Sequence, residues 1–211
     1  MIQRVVGEPT GTSIRFADMM TEAVKSYFQD KFHIQLTDEM FTSIALEAEG
    51  VVEYRVDKFF DVIKERYAEQ IQHADLVMVA THSQGTPVSI ILLQKLLMEG
   101  LISPASQRVG VLAMAGVSHG PFPALKTNLV VQYIEQDAAR QLFDFNYPST
   151  YISKMFSKAM ENLVQSGVRI AAVGSWYDQV VPVSHLSFFE LNLTSLVVLI
   201  GHARFQSLEY L

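Results

Sequence analysis

Three residues of this chain have the types and the order that acyl transfer needs: Ser83, Asp178 and His202. A serine hydroxyl is a poor nucleophile at neutral pH. It attacks a carbonyl carbon only when a histidine takes its proton and a carboxylate orients that histidine. Ser83 lies in Leu76-Val77-Met78-Val79-Ala80-Thr81-His82-Ser83-Gln84-Gly85-Thr86-Pro87. The apolar run reads as a buried strand, and the stripe Val88, Ile91, Leu92 and Leu96 reads as a helix face. Between them the chain must turn sharply. A turn that holds a serine at a strained backbone angle needs small residues two positions to either side, because strand and helix pass close together there. Gly85 meets that need. Thr81 is small but β-branched, and it stands where the pattern Gly-x-Ser-x-Gly has its first glycine.

The acid is sought after a later strand and the base after the last one. Asp178 follows the apolar run 168–174, at the edge where α/β sheets build sites. Asp144 is the alternative acid. His202 follows the final apolar run, and His185 is the alternative base, only seven residues past Asp178. The N–H of Gln84, next after the nucleophile, is the expected oxyanion donor. His82 points away from such a turn and is read as packing beside it, not as the base. His82, His119 and Phe122 are the candidate substrate contacts. Glu47 and Glu49 are read as structural.

The elements that would position these residues are short Val/Ile/Leu-rich runs alternating with amphipathic stretches, the pattern of a mostly parallel sheet with helices on both faces. The expected strands are Ser43–Glu47, Leu76–Thr81, Val109–Ala115, Val168–Gly174 and Ser195–Gly201, with a short one possible near Gln3–Val6. A first helix is expected from Thr12 or Ser13, where Gly-Thr-Ser supplies cap residues. A second is expected over Val52–Gln72, because Val52, Val56, Phe59, Phe60, Ile63 and Tyr67 form one stripe. A third follows Ser83, with Pro87 in its first turn and Gly100 as its stop. The proline- and aromatic-rich stretch 121–166 is expected to be a helical cap inserted in a single domain spanning 1–211.

The elbow, the Asp178-Gln179-Val180-Val181-Pro182 segment and the late His202 together resemble the α/β-hydrolase superfamily over roughly residues 75–202. Gly7-Glu8-Pro9-Thr10-Gly11-Thr12-Ser13-Ile14-Arg15-Phe16 and Ala45-Leu46-Glu47-Ala48-Glu49-Gly50 are similar to fungal α/β-hydrolase-like proteins. The resemblance implies a serine hydrolase fold and no particular substrate. Members usually carry further strands and an oxyanion loop upstream of the first helix. Only about a dozen residues precede it here, so the chain is expected to lack N-terminal strands.

Composition narrows the alternatives. Of 211 residues, 49% are hydrophobic and 18% charged, a globular balance large enough for one core. A net charge of −6 with no basic run argues against a nucleic-acid partner. The chain has no cysteine, which removes disulfides, thiolate metal sites and a cysteine nucleophile and suits a reducing compartment. Neither a signal peptide nor an apolar run of the ~20 residues that span a bilayer is seen, so a cytoplasmic protein is expected. The six histidines form no His-x-x-x-His, and there is no phosphate-binding glycine loop. No metal or cofactor is expected. The leading reading is hydrolysis of an ester with an apolar, lipid-like acyl group, the aromatics of 121–166 suiting such a substrate. The competing one is a catalytically inactive scaffold that binds or regulates. Oligomeric state is left open.

Overall fold

The computed structural model describes residues 3–4, 11–117, 141–175 and 196–201. By chain contacts they fall into two units, one before Gly50 and one from Gly50 onward.

In the smaller unit, strand β1 (Gln3–Arg4) pairs parallel with β2 (Ile44–Ala45), in register Gln3 with Ile44. Helix α1 (Gly11–Phe32) lies between them in sequence and packs on β2. The expected short first strand is present, and α1 starts one residue before the expected cap. It ends at His33, which takes φ +58°. The His33 N–H then reaches Gln29 O (3.1 Å) and the Ile34 N–H reaches Phe28 O (3.2 Å). This closes the helix as a glycine would. Lys25 on α1 reaches Asp38 at 2.7 Å, in a short 3-10 turn over Asp38–Met40. That hydrogen bond holds the Lys25 ammonium above its ordinary range and the Asp38 carboxyl below its own.

The larger unit is built on four parallel strands in the order β3 (Leu76–His82), β4 (Arg108–Met114), β5 (Arg169–Ser175), β6 (Leu196–Gly201). Neighbours in sequence are neighbours in the sheet, as crossover connections favour. The register runs Thr81–Ala113–Ala172–Val198 across the sheet. Along β4, buried Val109, Val111 and Ala113 alternate with half-exposed Gly110, Leu112 and Met114, so one face carries the core.

Helices α2 (Val52–Arg66), α4 (Gly85–Met98) and α5 (Tyr151–Gln165) pack side by side with α4 in the middle, and α4 also packs on β3. The middle place explains why α4 buries more than one stripe. Ile90 and Leu93 are as buried as Val88 and Leu96, and a helix apolar all round must be covered all round. It ends as expected, with Gly100 at φ +70° and the Leu101 N–H returning to Leu96 O (2.9 Å).

The second expected helix is not continuous. It breaks at Tyr67 (φ −132°, ψ 6°), leaving a five-residue α3 (Ala68–Gln72). Tyr67 is only 1% exposed, whereas α3 has no buried residue and hence no apolar face to keep it in line with α2. Of the stretch 121–166, only 141–166 lies within the described residues. Its main element is α5, the helix that leads into β5 and covers α4, with Phe156, Met160 and Leu163 buried.

Candidate active site

The parallel sheet turns the carboxyl ends of its four strands to one edge, and Ser83 sits at that edge directly after β3. Its φ is +51°, the left-handed region that a residue with a Cβ enters at a cost. Such a conformation lasts only where the surroundings over-determine it. Here they do. The Ser83 N–H donates to Met114 O (3.0 Å) at the end of β4. Its C=O accepts from Thr86 N (3.1 Å) in the first turn of α4 and from Val117 N (3.2 Å) just past β4. The residue is half-buried at that edge.

The small-flank requirement is visible as distances. A Cβ built on Gly85 would lie 2.7 Å from Thr81 Oγ1. Thr81 is 4% exposed and its hydroxyl has no hydrogen-bond partner. The threonine therefore occupies the room that a first glycine would leave open, and Gly85 alone carries the close approach of strand and helix.

Gln84 is the residue from which α4 starts, and it is half-buried beside Ser83. Among the described residues its N–H has no hydrogen-bond acceptor. A free N–H at a helix start is a group able to donate to negative charge. His82 is exposed at the end of β3.

Asp178, His202, His185, His119 and Phe122 lie outside the described residues. The strands before two of them are described. β5 and β6 finish in register, Ser175 opposite Gly201. Asp144 is half-buried ahead of α5, and its backbone carbonyl accepts from Thr150 Oγ1 (2.9 Å), Ser153 Oγ (3.2 Å) and Tyr147 N (3.0 Å). Its backbone thus organises the turn that starts α5. Among the described residues no group of three or more His, Asp or Glu could hold a metal ion, and no helix is long and apolar enough to cross a membrane.

The residues that hold Ser83 from β4 were not among the sequence candidates. The chain after Met114 is Ala115-Gly116-Val117, and two small residues at the end of a buried strand were the available signal.

A parallel sheet with a strained serine between a strand and the helix that follows it defines an α/β hydrolase. Residues 1–195 match the YMC0/YMC35 alpha/beta hydrolase domain, and the chain belongs to that family. It is thereby a member of a hydrolase family. Solved structures are similar to the chain, and the first of those that follow supports the fold. That of the metagenome-derived lipolytic enzymes LipS and LipT superposes with a TM-score of 0.52 at 13% identity, over 95% of this chain and 81% of that one. A lipase-esterase related protein from Clostridium acetobutylicum ATCC 824 gives 0.46 at 13% identity over 77% and 74%. The ydeN gene product of B. subtilis gives 0.43 at 14% over 86% and 76%. No curated protein sequence matches the chain.

Proposed function

We propose that the protein is a serine hydrolase cleaving carboxylic esters, with Ser83 as nucleophile, His202 as base and Asp178 as the carboxylate that orients it. The observation that carries this reading is the +51° φ of Ser83 at the β3–α4 junction, fixed by three backbone hydrogen bonds. Strain of this kind, of order 1–3 kcal/mol, collects where a side chain must be presented for chemistry. The register of the sheet supports the choice of partners. Asp178 comes three residues after the end of β5, and His202 directly after the end of β6.

In this mechanism Ser83 Oγ attacks the ester carbonyl carbon while His202 takes its proton. The Gln84 N–H helps stabilise the oxyanion. Collapse breaks the bond to the alkoxy group, which leaves as the alcohol with the proton from His202. Water then attacks the acyl-serine, His202 again takes a proton, and the acid departs as the proton returns to Ser83. His82, His119 and Phe122 serve as substrate contacts, and an apolar acyl group suits the aromatic-rich segment 121–166. The cysteine-free chain fits a reducing compartment, in line with action in the cytoplasm.

The test is labelling with a fluorophosphonate probe, comparing wild type with Ser83→Ala and His202→Ala. Labelling lost in Ser83→Ala and sharply reduced in His202→Ala is expected. A folded wild type that takes no label overturns the reading and leaves an inactive binding scaffold, which the tight fit of Thr81 against Gly85 would favour.

A further inference from the structure

We propose that Ala115-Gly116-Val117, the segment leaving β4, is the positioning element that sets the aim of Ser83. The inference rests on the nucleophile reading above and extends it to residues with no assigned role.

Of the three hydrogen bonds to the Ser83 backbone, one comes from this segment and another from Met114 immediately before it. Met114 O accepts the Ser83 N–H, and the Val117 N–H donates to Ser83 O. To make both, the chain must double back within two residues, and it does so through a second strained position. Ala115 takes φ +45° although it carries a Cβ. Its N–H donates to Val173 O on β5 (2.8 Å), so the segment is tied to the strand that leads toward Asp178. The serine is thus held in a frame fixed to its neighbouring strands.

The remaining wall of the frame is Thr86. A Cβ built on Gly116 would lie 2.7 Å from Thr86 Oγ1, 3.0 Å from Cγ2 and 3.1 Å from Cβ. Thr86 is fully buried, its hydroxyl has no partner, and its N–H bonds Ser83 O. It lies in the packed interior, where side chains shift only at a cost. A methyl group on Gly116 must therefore move the segment, and with it the Val117 N–H that grips Ser83. No backbone strain enters, because Gly116 is outside the left-handed region. Small displacements of a reacting group are costly, about 100-fold for 1 Å.

The experiment is the rate of fluorophosphonate labelling, resolved into probe affinity and maximal rate, alongside thermal unfolding. It compares wild type, Gly116→Ala, Thr86→Ala and the double variant. Expected for Gly116→Ala is a fall of about tenfold or more in maximal rate with affinity little changed, well below its melting temperature. In the Thr86→Ala background the nearest remaining contact is 3.1 Å, so the same change should cost markedly less. A labelled wild type with Gly116→Ala reacting at the wild-type rate overturns the positioning role alone, even if the variant melts earlier. An equal rate loss in both backgrounds overturns the contact with Thr86 as its cause. A wild type that takes no label overturns the nucleophile reading, and this role with it.

Discussion

Gly85→Ala isolates the consequence of having Thr81 where the elbow pattern has a glycine. The added methyl would lie 2.7 Å from Thr81 Oγ1, inside the 3.0 Å below which something must shift. Neither side gives easily. Thr81 is 4% exposed and locked in the ladder opposite Ala113, while Gly85 is the first residue of α4, behind a serine with a fixed backbone. Overpacking of this kind costs about 1–3 kcal/mol. Thr81→Ala removes the obstruction, because the next atom, Thr81 Cβ, is 3.9 Å away, an ordinary contact. In that background Gly85→Ala should be neutral, or stabilising by up to about 1 kcal/mol, since alanine is the better helix former. The coupling energy is then about 1–3 kcal/mol. For a chain of this size each kcal/mol moves the melting temperature by about 2–4 °C. Thermal and urea unfolding of wild type, both single variants and the double variant measure it. Thr81→Val is the control: it keeps the bulk, so the penalty should persist. An equal cost of Gly85→Ala in the threonine and alanine backgrounds would refute the reasoning.

Two further outcomes are expected. Buried Gln107 accepts from Ser103 N (2.8 Å), and its two amide hydrogens serve the carbonyls of Ile71 (2.6 Å) and Ala74 (2.8 Å), with Gln72 O at 3.2 Å sharing one of them, so it closes the end of α3. Gln107→Ala should cost about 1–3 kcal/mol in urea unfolding, and an unchanged midpoint would refute the capping role. Burial raises the Tyr67 phenol above its ordinary value of about 10, outweighing the opposing charge of Arg66. The folded state then holds the proton more tightly than the unfolded chain. This contribution is whole below the unfolded value and is lost as pH climbs through the raised one. Tyr67→Phe should flatten the fall in stability above about pH 10, and parallel curves for the two proteins would count against it.

Residue patterns foretold much of the larger unit. Runs of Val, Ile and Leu marked β3 to β6 to within two residues at each end. The Ser83 junction was legible for the same reason, since strand, turn and helix each leave a local periodicity. Other features left no such trace. The stripe from Val52 runs through Tyr67 without interruption, yet the helix breaks there, because a stripe records what is buried and not the backbone path that buries it. Ala115 has no residue-type signature for positive φ, as a glycine would.

By itself, the sequence determined which segments of the larger unit form the strands β3 to β6, where α4 follows Ser83, and which stripe of α2 is buried. These follow from periodicity and chain order, which are properties of neighbouring residues. Only the tertiary structure decided that β4 lies beside β3, and so that Met114 and Val117, more than 30 residues away, hold the Ser83 backbone. That grip uses main-chain N–H and C=O groups, which almost every residue carries. Contacts of that kind leave no mark in residue type and exist only once the strands have paired.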